Sequence, residues 1–582
     1  MFIKKCKYKN GRTFLSIVHG YSENGKTKHL TIKKLGYLDE LTDKHGNIDK
    51  YLADELNNAR KEFNKSITIS NEKLSIDEQY INNLGYVILK RIYDQIGLKD
   101  FFKAKQASLD INYDLNDIFQ LLIYSRIMFP SSKKETYDNR NIFFENSDFS
   151  LKDLYRSLDL FNRYNDELLK LIWNNTKDEY NRDTSSVYYD CTNYYFEISY
   201  NDTDLIDEHG NILEKGYRKK GPSKEHRPEP IIQMGLLMDN TGIPMSFNLF
   251  PGNESEKTSL RPALKKTKNS FGIDRVITVA DRGLNTSDNT LFIAGKNDDT
   301  HTNHDGYVFG QSVLGASKEF KEWVLKQDDY NTDKVLDGDT EISFKHKSRV
   351  YAKTIQIMRD GTRKNKSTIY QKQMIYYSEK YAKRQKKQRD LVIEKANDLI
   401  KNPGKYTLAT SVGASGYVKN LNFDKKTGDV IAKDLSLDID KIKEEEKYDG
   451  YYSIVTSELE MSDKKLRDIY KGLWRIEESF KITKSTLESR PVYVWTKEHI
   501  EAHFLTCFVS LVILRLLENK TKRKYSIEQI IKSLKEYNTR KQKANYYQVL
   551  NYDEIIDYLS KTFDIELNNS LLTKKDIKNL LN

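Results

Sequence analysis

The feature that most constrains this chain is an abrupt change of hydrophobic period near residue 181. From about residue 75 to 180, segments such as YVILKRIYDQIGL, LNDIFQLLIYSRIMF and DELLKLIWNNT repeat apolar residues at three- and four-residue spacing, as amphipathic helices do. Immediately afterwards SSVYYDC, YYFEIS, IIQMGLLM, MSFNLF and RVITVA are short β-branched and aromatic runs separated by turn signals, which predict strands. An all-α module is therefore followed by a sheet-forming one, and neither an all-helical nor an all-β architecture accommodates both.

At 582 residues the chain is too long for one hydrophobic core. Residues 1–70 read as a small β-hairpin and helix module: FLSIVHGYS and KHLTIKKLGYL alternate about an Asn-Gly turn, and a helical pattern takes over at Asn57 to Asn64. Residues 71–180 form the helical module. Residues 181–310 and 456–520 read as two parts of one α/β core, with TSDNTLFIAG as a helix and GYVFG as a short apolar segment. Between them, 311–455 shifts to Lys, Asp and Tyr with scattered strands and a basic helical run, and looks inserted. Residues 521–582 read as a polar helical tail.

The net charge of +11 makes a polyanion a plausible partner, although a lysine-rich solvated surface gives the same total. Cys6, Cys191 and Cys507 are too widely spaced for a zinc knuckle or a disulfide framework, and a reducing cytosol fits. The longest apolar run, Phe504 to Leu514, is too short to span a bilayer before Arg515, so the expectation is a soluble, cytoplasmic protein with no membrane partner. HIEAH at His499 to His503 lacks a Glu directly after the first His and is not a zinc-protease motif.

Three acids stand out. Asp190 interrupts a strand in which an unpaired charge is costly unless a cation or donor meets it, although a turn Asp accepting from backbone N–H groups is the alternative. Asp281 directly follows VITVA, at the C-terminal edge of a strand, where open α/β sheets place ligands; there it could equally cap the next helix, a role also open to Asn285, Thr286 or Ser287. Glu477 lies in YKGLWRIEESFKITK, where Arg467, Tyr470, Trp474, Glu477, Lys481 and Lys484 share a helix face at 100° per residue. That face suits a metal and a phosphate backbone, with Trp474 packing below, but simple Glu477–Lys481 pairing on a solvated face gives the same spacing.

The third motif resembles the Tyr, Arg, Glu, Lys signature of DDE transposases of bacterial insertion sequences, and SRPVYVWTKEHIEAHF downstream resembles insertion-sequence family 1634. Tyr470, Glu477 and Lys484 match in type and interval, whereas the signature Arg falls on Leu473. GPSKEHRPEPIIQMGLLMDNTGIPMSFNLFPGNESE resembles the strands between the first and second Asp, and DRG resembles the second-Asp motif. The resemblance implies an α/β, RNase H-like catalytic core interrupted by a β-rich insertion domain, with Asp190, Asp281 and Glu477 as catalytic residues and ligands of two Mg²⁺ or Mn²⁺ ions per active site. It implies recognition of the element's terminal repeats by the N-terminal hairpin and the helical module of residues 71–180, hydrolysis at the element ends, joining of the freed 3′-OH to target DNA, and double-stranded DNA and a second copy of the chain, in a synaptic homodimer, as partners. A nucleoid-associated place in the cytoplasm follows. A related nuclease without strand transfer, and a DNA-binding protein descended from a transposase, are the alternatives.

Candidate phosphate contacts are Tyr470, Lys481 and Lys484, then Arg490 and Arg475, and in the basic loop GYRKKGPSKEHR Lys219, Lys220, Lys224 and Arg227, for which a solvated loop is the other reading. Arg475 stands two residues from Leu473, a 200° rotation off the catalytic face, so Lys481, Arg467 or Arg490 is better placed to replace the missing charge. Trp323 is a candidate for holding a flipped base, by the same resemblance.

Overall fold

The computed structural model describes the chain apart from residues 24–25, 64–80, 146–147, 226, 296–304, 338–339, 360–361, 409, 425–427, 432–433 and 543–545. It divides into two units, Met1–Tyr180 with Ile482–Asn582, and Asn181–Lys481.

In the first unit, alternating residues build an antiparallel sheet of β1 (Phe2–Lys7), β2 (Thr13–Glu23) and β3 (Lys26–Tyr37). Glu23 pairs with Lys26, leaving two residues for the connection; the Asn-Gly turn itself lies outside the described residues. The expected hairpin thus gains a third strand, whose lysine-rich FIKKCK composition is that of a protected sheet edge and hides its alternation. Helices α1 (Leu38–His45) and α2 (Ile48–Phe63) close a small core on Leu15, Leu41 and Leu52. After β4 (Ile81–Asn83) come α3 (Tyr86–Ile96), α4 (Leu98–Gln106), α5 (Leu115–Met128), α6 (Lys133–Asp138), α7 (Leu151–Arg163) and α8 (Asn165–Thr176). Their starts are set locally: Asp114 accepts from the Asp117 N–H at 3.1 Å, and Ser150 with Asp153 forms a capping box.

The second unit is built on β5 (Ser186–Tyr195), the short ribbon of β6 (Leu205–Ile206) and β7 (Ile212–Glu214), then β8 (Ile231–Asp239), β9 (Pro244–Pro251), α9 (Glu256–Phe271), β10 (Ile277–Ala280), α10 (Ser287–Ile293) and β11 (Gly306–Gln311). Next follow α11 (Lys318–Leu325), β12 (Asn331–Asp337), β13 (Thr340–Arg359), β14 (Thr362–Tyr377), α12 (Glu379–Lys401), the pair β15 (Val418–Lys419) and β16 (Ser436–Leu437), α13 (Ile439–Glu446) and β17 (Tyr451–Thr456). Helices α14 (Asp463–Lys471) and α15 (Trp474–Lys481) end the unit. Among the described residues one nine-stranded sheet runs β12-β13-β14-β17-β11-β10-β5-β8-β9. Strands β5, β8 and β9 are an antiparallel meander, and β10 and β11 run parallel to β5. Most strands of the segment read as an insertion do not make a separate sheet: β12, β13, β14 and β17 extend this one, because β17 pairs with both β11 and β14, and β15 and β16 pair apart from it.

The chain then returns to the first unit through a π-helical turn (Ile482–Thr486), α16 (Lys497–Lys520), α17 (Ile527–Glu536), β18 (Asn538–Lys541), β19 (Tyr546–Val549), α18 (Glu554–Phe563), β20 (Leu571–Thr573) and α19 (Lys574–Leu581). Two expectations are corrected here. Helix α16, assigned from sequence to the second part of the α/β core, packs against α3, α5 and α7; it is apolar all round, so it needs helices on every side. It is long and apolar enough to cross a membrane by length and composition, yet 94% of its most apolar window is buried in the protein. The C-terminal region is not purely helical either: β18, β19 and β20 form a sheet with β4 in the order β20-β19-β18-β4, from strands too short to show a period.

Candidate active site

Strand β5 sorts its side chains by alternation. Tyr189 and Cys191 face α9, where the Tyr189 hydroxyl donates to Ser259 Oγ at 2.8 Å. Tyr188 and Asp190 take the opposite face. There the Tyr188 hydroxyl donates to the Ile469 carbonyl of α14 at 3.1 Å, and a Cβ on Gly472 would stand 2.1 Å from that hydroxyl. Glycine at the α14–α15 elbow therefore lets the two helices settle on the sheet face that carries Asp190.

The parallel pairing of β10 with β5 brings Val279 beside Tyr188, so two residues on, just past the end of β10, Asp281 comes level with Asp190 on the neighbouring strand, roughly 5 Å across. On the other side, β11 pairs Phe309 with Ala280, which puts Gly310 level with Asp281. A Cβ on Gly310 would lie 2.3 Å from the Tyr470 hydroxyl. Asp190, Asp281 and the Tyr470 hydroxyl thus form a row across three strands. In Gly310→Ala, Tyr470 is expected to be displaced and activity to fall. Adding Tyr470→Phe, which deletes the clashing oxygen, should recover thermal stability; a double mutant no more stable than Gly310→Ala would refute the contact.

Burial pushes the Asp190 carboxyl up to about 7; Lys224 opposes this, and Asp281 and Glu256 add to it. Its carboxylate is thus an electrostatic burden on the protein alone. That penalty is absent below the unfolded-state value near ~4, where both states are protonated, and complete above about 7. Asp190→Asn should raise the Tm of metal-free protein by several degrees at pH 8 and by much less at pH 4, as read by calorimetry.

Asp281 is also a cap, its Oδ1 accepting from the N–H groups of Gly283 at 2.9 Å and Leu284 at 3.3 Å, while Thr286 caps α10. The capping uses one carboxylate oxygen, Oδ1. Glu477 is exposed on α15, which packs on β5. The Tyr452 phenol is raised mainly by burial, then by Tyr381, with Glu477 contributing too, so this acid lies near the tyrosine wall. Asp281, Tyr470, Tyr452 and Tyr381 line one cleft of about 240 Å³. Among the described residues, no three His, Cys, Asp or Glu side chains are gathered closely enough to enclose a metal ion. The structure pairs two of the acids and sets the third on a helix packed against the strand of the first.

Several residues sit otherwise than the spacing implied. The helix face does not run continuously from Arg467 to Lys484, because α14 ends before Gly472 and α15 starts at Trp474. Trp474 does not pack below; it is 43% exposed. Arg467 is buried, pairs with Asp468 at 2.9 Å and lies over the Phe344 ring, so it anchors α14. Arg475 donates to the Asn240 carbonyl, consistent with its rotation off the Tyr470 side, and Lys481 is exposed at the end of α15. Lys484 and Arg490 belong to the first unit.

Of the basic loop, Lys219 is held by Asp204 at 2.7 Å, Lys220 is exposed, and Arg227 lies over the Tyr195 ring at 3.9 Å. Lys224 lies in an exposed turn, but its Nζ turns back to the sheet: it donates to the Cys191 carbonyl at 2.7 Å and pairs with Glu256 at 3.1 Å, beside Asp190. Trp323 packs on a core of Val313, Phe320 and Val324, with the Arg349 guanidinium 4.4 Å from its ring centre, so that face of the ring is taken. His499 pairs with Asp159 and buried His503 bonds to the Ser489 carbonyl, as the packed-helix reading of HIEAH requires. Glu256, Tyr381 and Tyr452 were not anticipated; the one available signal was the aromatic pair in GYYSIVTS.

Residues 3–66 match the N-terminal domain of IS1634 family transposases. The match supports a transposase, and so a DNA-processing enzyme. The family it supports is IS1634. No curated protein matches the chain.

Proposed function

We propose that the Asn181–Lys481 unit is an RNase H-like catalytic core and that the chain cleaves DNA at the ends of an insertion sequence and joins the freed 3′-OH to target DNA. The observation that carries this reading is the level pairing of Asp190 and Asp281 on adjacent parallel strands, beneath the α14–α15 elbow. The strand order supports it: from β9 to β11 the sheet runs third, second, first, fourth, fifth, with the first three antiparallel.

Two adjacent carboxylates, one of them disfavoured as an anion by burial, suit a hard divalent cation, which takes one or two carboxylates and completes its shell with water and phosphate. Asp190 and Asp281 would hold Mg²⁺ or Mn²⁺, with Glu477 closing the set as α15 adjusts to substrate. Bound there, such ions supply an activated water and charge stabilisation at the phosphorus. The chain's own residues do the rest. Tyr470 stands over Gly310 to meet a phosphate oxygen next to Asp281, and Lys224 offsets the negative charge at Asp190. The Gly283 and Leu284 N–H groups fix the Asp281 rotamer. Synapsis of two ends by a homodimer belongs to this reading.

Calorimetric titration with Mn²⁺ tests the metal step directly. Binding should be seen with the wild-type chain and be lost in Asp190→Asn; equal binding by both would remove Asp190 from the site. Joining of a pre-cut end to plasmid DNA separates a transposase from a nuclease of the same design.

A further inference from the structure

The first unit holds a second concentration of charge. Between α5, α6 and the loop before α16, a cavity of about 70 Å³ is lined by residues that include Arg126, Lys133, Glu488, Arg490, Tyr493 and His503. Arg126 is buried and spends its guanidinium on carbonyls: Nη1 donates to Leu487 and Glu488, both at 3.2 Å, and Nη2 to Ser131 at 3.1 Å. Lys133 is 4% exposed and has no hydrogen bond or ion pair among the described residues. His503 is buried, bonded to the Ser489 carbonyl, and held neutral by burial and by the nearby Lys133 and Arg126. Among the lining residues the one acid is Glu488, exposed on a left-handed backbone turn.

A buried ammonium that has no hydrogen-bond or ion-pair partner and lies beside a buried guanidinium is costly. Burial and Arg126 accordingly pull Lys133 down to about 7. Such a cluster is tolerated where an anion completes it.

We propose that the Arg126–Lys133–Arg490 cavity is a binding site for a phosphate group, with Lys133 as its central point charge and Arg490 as its second cation. The volume admits one tetrahedral oxyanion and no ring system. Arginine and lysine supply the two usual modes of phosphate contact, forked donors and a compact charge. Exposed Tyr493 lines the same cavity, so the phosphate can come from a DNA backbone or from a free ion. The site rests on the first unit alone and does not depend on the carboxylate reading.

Thermal unfolding of the full chain, titrated with inorganic phosphate against sodium chloride at matched ionic strength, tests it. Wild-type protein should show a saturable, phosphate-specific rise in Tm. Lys133→Met should unfold at a higher temperature than wild type without phosphate, having lost an uncompensated charge, and should gain nothing from phosphate. Arg490→Gln should weaken apparent phosphate affinity about tenfold. No saturable rise in wild type, or an identical rise in both variants, overturns the proposal. A short duplex then distinguishes the source: if it abolishes the phosphate-dependent shift, and Arg490→Gln lowers the salt dependence of duplex binding, the site takes backbone phosphate; if phosphate and duplex act independently, it takes the free ion.

Discussion

An Asp281→Ala variant should cut transposon-end DNA roughly 10³-fold more slowly, or not at all, while binding the same DNA with little change. The magnitude follows from what the residue is asked to do. Charge stabilisation by a bound divalent ion is worth several kcal/mol, and each 1.36 kcal/mol is tenfold in rate. On the proposed reading Asp281 carries two loads, since one oxygen also caps the Arg282–Leu284 turn, so Ala would remove a cap as well as a ligand. Asp281→Asn separates these. Its side-chain oxygen still accepts from Gly283 and Leu284, so it should keep wild-type stability and still fail to cleave. Cleavage of end DNA, read on gels alongside binding by anisotropy, decides the matter. Residual cleavage within tenfold of wild type in both variants would remove Asp281 from the chemistry.

The second large effect is on stability. Arg182 and Asp239 form an ion pair with both side chains fully buried, in which Nε donates to Asp239 Oδ2 at 2.5 Å. The same guanidinium donates to the carbonyls of Ile243 and Pro244, while Asp239 Oδ1 accepts from the Thr241 and Ile243 N–H groups. The network fastens the β8–β9 turn to the segment entering β5, and so sets the strand that carries Asp190. Removing one member leaves the other as an uncompensated buried charge, which typically costs about 3–5 kcal/mol. Asp239→Ala should lower the unfolding free energy of its unit by that amount in urea titrations. A loss below ~1 kcal/mol would mean that the pair is not sequestered from water. The apolar double replacement Arg182→Met with Asp239→Leu should restore much of the loss, because both charges leave together.

What could be read from sequence was what local pattern encodes. The strand character around Asp190 and Asp281 is written in β-branched and aromatic runs, and the structure has strands there. The helical period before residue 181 is likewise written in apolar spacing. What could not be read was set by distant partners. Helix α9 went unanticipated because Pro262 lies inside it and lysines dilute its apolar face. The elbow at Gly472 was invisible because helical counting assumes continuity, whereas the break is fixed by a Tyr188 hydroxyl nearly three hundred residues earlier in the chain. Lys224 looked like one more loop cation; only the fold lays its chain along β5, next to an acid. Strand β1 and the short strands near the C-terminus depend on neighbours that no local window contains.

The two long strands β13 and β14 tie together parts of the second unit that the backbone visits far apart. At one end His346 and Lys372 both grip Asp463, the first residue of α14, at 2.7 and 2.8 Å. Farther along, Ile355 and Ile369 pack on Leu291 of α10, the helix that follows Asp281. The ribbon is therefore a splint between the helix that follows Asp281 and the helix that leads into the elbow before Glu477. Shortening it would leave every acid in the sequence intact and yet slacken the spacing between these helices, so on the proposed reading a chain could lose activity with no change at any acidic position.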